Sequence, residues 1–397
     1  MSPLHLAAYT MTSALGAGLG PTLEALRGQR SGVRPTHWET VDLQTCLGEV
    51  AGLDDFVLRD DLAPFDCRNN RLAQLGLEQD GFAAAVRAAI TRHGPGRVGV
   101  FLGTSTSGIL SSEQAYRHRD PTTGAFTVPL DYRHTHNCYS VADFVRSYFA
   151  LTGPAFVVST ACSSSAKVFG NAQRMMAAGL IDAAIVGGVD SLCLTTLYGF
   201  NSLQLVSAHP CRPFDASRDG ISIGEAAAFV LLEKQPAVAG HGIQLSGIGE
   251  SSDAYHMSSP HPEGLGARAA MLAALDMAGL QAEQIDYINL HGTATPSNDA
   301  AEDKAVTSLF GTTTPSSSTK GHTGHALGAA GGIEAIICAL ALQHGFAPGG
   351  CGTEQLDPQL RTRYLLENLE QAMHHVLSNS FGFGGSNCSL ILSRVGA

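Results

Sequence analysis

The stretch FVVSTACSSSAKVFGNAQRMMAAGLIDAAIVGGVDSL, residues 156–192, passes from strand to tight turn to helix with one thiol at the turn. Phe156, Val157 and Val158 read as a short buried strand. Ala166 to Ala178 carries apolar residues at helical spacing and stops at Gly179, a C′ glycine. The turn between them holds Cys162. Such a turn lifts a nucleophile clear of its surroundings and aims it along the following helix, where a thiolate meets unpaired backbone N–H groups. A helix terminus offers about 0.3–2 kcal/mol against about 1.4 kcal/mol per pKa unit, so the turn is expected to lower the thiol pKa by roughly one unit from about 8.5. The opposing reading is a small buried hydrophobe, the commonest role of a free cysteine. This stretch alone leaves both open.

Composition narrows the classes around it. A chain of 397 residues predicts two or three domains or one large duplicated unit, with ample core. Its 45 glycines cluster in runs such as ALGAAGG and FGFGGSN, suited to tight turns and close backbone packing. Net charge is −11 and no basic run occurs, so nucleic acid is not an expected partner. No Lys or Arg precedes Arg27, which argues against a secretory leader, and the absence of about 18 uninterrupted apolar residues predicts no membrane span. Nine cysteines, odd in number and without CxxC, favour reduced thiols in a cytoplasmic protein. His322 and His325 form an HxxH and His134 lies close to His136, but neither a Cys pair nor HExxH accompanies them, so no metal site is expected.

Strand-like runs at Leu4–Tyr9, Val98–Leu102, Phe156–Val158, Ala183–Val186 and Ala227–Leu232 alternate with helical ones at Thr22–Gly28, Leu72–His93 and Ser140–Leu151, predicting a layered α/β protein. KQPAVAGHG at 234–242 breaks the pattern, and a boundary near 238 divides the chain into 1–238 and 239–397. The second part reads as strand Ile243–Ile248, helix Ala267–Ala278, strand Ile285–Leu290, helices near Ala300–Phe310 and Gly328–His344, and strand Ser389–Ser393. Both parts open with strand, Gly/Ser loop and helix, which makes a duplicated architecture plausible. No residue-level repeat is visible.

Two further constellations follow strands in the second part. INLHGTATPSNDAAE, residues 288–302, carries His291, Thr293, Thr295, Asp299 and Glu302; SSTKGHTGHALGAAGG, residues 317–332, carries Lys320 and His325 in a loop feeding a helix. Taken singly, each has a plain structural reading as a turn, a cap or a solvated cation.

Taken together and in order, STACSSS, HGTATPSND, TKGHTGHALGAAGG and NSFGFGGSN (379–387) resemble the elongating β-ketoacyl-acyl-carrier-protein synthases, and the likeness extends through RPFDASRDGISIGEAAAFVLLEK (212–234) and SSDAYHMSSP (251–260) to nearly the whole chain. The resemblance implies a thiolase fold: two similar α/β halves in five αβαβα layers, forming a dimer. It implies that Cys162 carries the acyl group, with His291 and His325 facing it. Malonyl carrier protein then loses carbon dioxide, the two neutral imidazoles steady the enolate, and the carbanion attacks the Cys162 thioester to give a 3-ketoacyl product two carbons longer. No cofactor is implied.

By the same likeness, Lys320 and Glu302 form an ion pair that orients the histidines. Thr293 and Thr295 contact the pantetheine arm, and Phe383, with Phe381 beside it, gates the site with help from Gly382, Gly384 and Gly385. Thr106 and Phe200 fall at acyl-pocket walls, and Thr106 stands where long-chain members carry a larger apolar residue, which points to an unusual acyl group. Arg68 and Arg71 in FDCRNNR are candidates for docking an acidic carrier protein. The chain departs from the pattern at Gln204, usually Arg, and at His322, usually Met. Degradative thiolases and starter-type synthases fit less well, because the motifs give Cys, His and His. The presence of all three also sets the chain apart from non-catalytic chain-length factors. FDCRNNR and TTLYGFNSLQLVS look more like aryl polyene or xanthomonadin-type ketosynthases, so a catalytic subunit working with a chain-length-factor partner stands beside a homodimeric fatty-acid enzyme.

Overall fold

The computed structural model describes residues 3–35, 38–235 and 242–395. Its main sheet carries ten principal strands in two sets of five. The first set is β1 (Leu4–Ser13), β2 (Val98–Gly103), β3 (Ala155–Val158), β4 (Ala183–Asp190) and β5 (Ala226–Glu233). The second is β6 (Ile243–Ser252), β7 (Tyr287–Asn289), β8 (Ser316–Ser317), β9 (His375–Gly382) and β10 (Ser386–Arg394).

The two sets repeat one topology. In each, the first strand pairs antiparallel with the fifth, the fifth antiparallel with the fourth, the fourth parallel with the second, and the second parallel with the third. Among the described residues the two sets are hydrogen-bonded to each other where Leu4 pairs with Leu245 and His5 with Gln244. Duplication is therefore a matter of strand order rather than residue identity. The expected boundary at 238 lies outside the described residues, between the end of β5 and the start of β6.

Alternation along the strands builds the layers. Ala184, Val186, Ala228 and Val230 face one core, which also takes Val376, Leu390 and Leu392 from the second set. Ala183, Ile185, Ala227 and Phe229 face the opposite way, onto helices Arg68–Leu77, Phe82–His93 and Ser140–Tyr148. Leu377 and Ile391 likewise turn toward helices Leu265–Ala278 and Pro296–Phe310. Between the two sets lie α1 (Ser164–Ala177) and α2 (Ala330–His344), whose apolar residues fill the shared core. The result is five layers.

In both sets the central helix follows the third strand, so α1 and α2 occupy equivalent places. Every residue of α2 from Ala330 to Leu342 is buried, as expected for a helix apolar all round. The 18 residues Leu327–His344 match a membrane span by mean hydropathy, 1.4, but 89% of them are buried inside the fold. Gly331 permits the close approach of α1, since a Cβ there would stand 2.8 Å from that of Ala166.

Two local expectations change. The helix predicted over Leu72–His93 is two helices, Arg68–Leu77 and Phe82–His93, broken where Asp80 and Gly81 take φ of 55° and 70°. Strand β9 was not expected. Its centre, Ser378–Asn379–Ser380, is polar yet buried, which hides the usual alternation.

Candidate active site

Cys162 sits between β3 and α1, after Ala161, which holds φ at 53°. A left-handed non-glycine residue is strained, and side chains hold the turn: Ser163 Oγ donates to Thr160 O at 3.0 Å and Ser164 Oγ to Ala161 O at 2.5 Å. The sulfur lies 3.1 Å from His325 Nε2. His325 enters just before α2, so the equivalent loops of the two halves supply the two partners. His291 follows β7, its ring centroid 5.4 Å from that of His325 and nearly perpendicular to it.

Lys320 orders the second half of the site. Its Nζ donates to His291 O at 2.5 Å and stands 3.3 Å from His291 Nδ1. An ammonium has only donors, so Nδ1 accepts and the N–H of His291 is on Nε2. Burial, aided by the Lys320 charge, holds both imidazoles well below the ordinary histidine pKa, hence neutral. Each can donate a hydrogen bond to an oxygen that gains negative charge.

The acid paired with Lys320 is Glu334, at 2.5 Å, both side chains 1% exposed. This corrects the expected Lys320–Glu302 pair. Glu302 instead accepts from His291 N at 2.8 Å, Gly292 N at 2.7 Å and Asn379 Nδ2 at 3.1 Å, so it fixes the backbone beneath His291 rather than the lysine. Burial raises both carboxyls to about 7. Glu334 was missed by sequence reasoning, although a single acid inside the apolar run AGGIEAIICALAL was a usable signal.

The thiol is also corrected. Burial pushes the Cys162 pKa up, against the opposing pull of the Phe383 N–H and the Lys320 ammonium. Cys162 rests as a thiol because desolvation outweighs the helix terminus. The sulfur of Cys162 and ring nitrogens of His291 and His325 lie within 4.8 Å of one another, close enough to share a metal ion.

A cleft of about 600 Å³, open on one side, reaches these groups and is lined by Phe200, Thr293, Thr295, Phe381, Phe383 and Asn298 among others. Phe383 and Phe200 meet edge to face at 5.6 Å. Gly384 and Gly385 beside Phe383 take φ of 89° and 83°. The Thr293 and Thr295 hydroxyls bond each other at 2.9 Å.

Three expected residues lie elsewhere. Thr106 is not among the cleft residues: its hydroxyl donates to Asp190 Oδ1 at 2.7 Å and accepts from Ser191 N at 3.1 Å. Arg68 is buried, with Glu225 at 2.7 Å and further contacts to Asp54 and Glu49, so it cannot present its charge to a carrier. Arg71 is partly exposed but paired with Asp66 at 2.6 Å.

The chain is similar to known proteins over nearly its whole length. Residues 7–237 match the family model "Beta-ketoacyl synthase, N-terminal domain" and residues 243–354 its C-terminal counterpart. The 3-oxoacyl-[acyl-carrier-protein] synthase 2 of Vibrio cholerae is 32% identical over 97% of both chains. The ketosynthase ApeO, solved in complex with its chain length factor ApeC from Xenorhabdus doucetiae, superposes with a TM-score of 0.89 at 39% identity, covering 99% of this chain and 98% of that one. The ishigamide ketosynthase/chain length factor gives a TM-score of 0.88 at 25% identity over the full length of both. Homologues thus form ketosynthase–chain length factor complexes, and the architecture is the ketosynthase (thiolase) fold with N- and C-terminal halves. The chain belongs to the β-ketoacyl synthase family.

Proposed function

We propose that this chain takes an acyl group from a carrier protein onto Cys162 and condenses it with malonyl carrier protein, returning a 3-ketoacyl chain two carbons longer. The observation that carries this reading is a buried thiol 3.1 Å from a neutral imidazole, with a second neutral imidazole beside it. In acyl transfer, His325 Nε2 accepts the thiol proton as sulfur attacks the incoming thioester, and passes it to the carrier thiolate that leaves as the old C–S bond breaks, so the imidazole ends neutral. The backbone N–H groups of Cys162 and Phe383, which face the sulfur, then hold the thioester oxygen. In condensation, the malonyl C–C bond breaks, its electrons move into an enolate steadied by the imidazole N–H groups, and the nucleophilic carbon displaces the Cys162 sulfur. Carbon dioxide leaves, and the released Cys162 thiolate takes up a proton from solvent.

We further propose that it works as the catalytic member of a pair with a chain-length-factor-like subunit. The 39% identity to a ketosynthase solved in such a pair supports this. So does β3, which closes one end of the sheet with a single paired neighbour and half-buried Ala155–Val158. A homodimer in fatty-acid elongation is the alternative, favoured by the likeness to the Vibrio enzyme. All nine cysteines are free, which supports a place in the reducing cytoplasm.

Intact-mass analysis after mixing with acyl carrier protein tests the acylation. Wild type should gain one acyl mass and Cys162→Ala none. Equal labelling of both would overturn the assignment. Co-purification with a candidate partner, against a stable self-dimer, decides between the pairings.

A further inference from the structure

His322 lies in KGHTGH between two residues that shape the site, is fully buried, and has no part in the chemistry above. Its Nδ1 is 3.1 Å from the carbonyl oxygen of Arg30 and its Nε2 is 3.0 Å from that of Gly349. Both neighbours are acceptors. Neutral imidazole carries one N–H and directs a lone pair at the other carbonyl, whereas the imidazolium donates to both. The same loop is tied twice more: His322 O accepts from Gly32 N at 2.8 Å, and Gly321 O from Ser31 Oγ at 2.7 Å. Segments distant in sequence, 30–32 and 349, therefore close on the short helix Lys320–Thr323. That helix begins at the lysine that sets the His291 tautomer and leads to His325.

We propose that His322 is a positioning residue for condensation, clamping the Lys320–His325 loop to the carbonyls of Arg30 and Gly349, and that the clamp is complete only when the ring carries both protons. The inference rests on the condensing role proposed above. The charged and titratable groups on the segments packed around the ring include Arg30, Arg34, Cys211, Lys320, His325, Cys351, Tyr364 and Glu367, with Cys211 donating to Lys320 O and the Tyr364 hydroxyl accepting from Ser318 N. Arg30 is paired with Glu24 at the surface and Lys320 with Glu334. The Cys351 thiol donates to Gln29 O, Glu367 and Arg34 are exposed, and His325 turns to Cys162. Among the described residues no carboxylate faces the ring, so the two carbonyls are its proton-favouring partners. Burial lowers its pKa and the carbonyls partly restore it, which places the second proton on the acid side of neutrality.

The test is malonyl-carrier decarboxylation between about pH 8 and 5.5 for wild type, His322→Met and His322→Gln, with Cys162 acylation followed by intact mass. Losing one or two buried hydrogen bonds predicts a decarboxylation rate about tenfold lower in H322M at neutral pH. Wild type gains rate as pH falls below the ordinary histidine range, and H322M lacks that rise. H322Q, whose amide still donates, recovers part of the rate but not the rise. Acylation, which uses His325 but not the Lys320–His291 contact, falls less than decarboxylation in H322M and H322Q. Matching rates and pH profiles in wild type and H322M overturn the proposal; if H322M does not fold, a wild-type pH rise retained in H322Q does so. A wild type that acylates yet never decarboxylates malonyl carrier overturns the condensing role itself.

Discussion

The ammonium of Lys320 stands 3.3 Å from Nδ1 of His291 and 2.5 Å from the Glu334 carboxylate. One cation thus selects the histidine tautomer that donates into the cleft, while its own charge is balanced inside the core. Removing it should have two effects. Lys320→Ala leaves Glu334 buried without its partner, a cost of about 3–5 kcal/mol when the acid stays ionised. Because Glu334 titrates near 7, thermal melts should show a loss that is larger at pH 8 than at pH 6. Decarboxylation should fall at least about a hundredfold through loss of one aimed donor, with acylation less affected.

The pH dependence of decarboxylation follows from the neutral imidazoles. The working form is unprotonated, and burial keeps His291 and His325 in that form well below 6.5. The rate should therefore not fall as pH drops from about 7.5 to 6, where an exposed histidine with a pKa near 6.5 would be more than half protonated. A loss of half the rate near pH 6.5 would contradict neutral donors.

For Cys162, the rise in pKa predicts sluggish general alkylation. Iodoacetamide should modify the thiol with a pH midpoint above the ordinary cysteine value of about 8.5. A midpoint below about 8 would restore the helix-terminus picture.

Arg68 should behave as a structural residue. Arg68→Ala strands Glu225 and is expected to cost about 3–5 kcal/mol in urea unfolding, with little change in the salt dependence of carrier binding. Reduced binding at unchanged stability would return it to the docking surface.

Thr106→Val keeps the shape and removes a donor from Asp190, a buried carboxylate that also accepts from Thr104 and from Gly328 N near the start of α2. A stability loss of about 1–3 kcal/mol is expected, with acyl-chain selectivity unchanged in competition assays. A shifted selectivity would make Thr106 a pocket wall after all.

The catalytic residues were legible because each stands in a strand–loop–helix passage whose small residues mark a tight approach: Cys162 in STACSSS, His291 in LHGTAT, His325 in TGHALG. What escaped was pairing at a distance. Arg68 meets Glu225, 157 positions away, and nothing local in FDCRNNR announces that burial. Lys320 chose Glu334 over Glu302 because α2 brings its acid across the core, while Glu302 is turned to the His291 backbone. The thiol pKa was misjudged for a related reason: a helix terminus is visible in sequence, but the desolvation opposing it depends on both halves closing over Cys162.

The central claim is tested most directly by a single turnover. Wild-type protein is first acylated on Cys162, freed of excess acyl carrier, and mixed with malonyl carrier protein, and both proteins are weighed intact. The account predicts that the acyl mass leaves Cys162 and that a 3-ketoacyl chain two carbons longer appears on the carrier. An acyl group that remains on the enzyme, or departs as free acid while the malonyl carrier is unchanged, would contradict it.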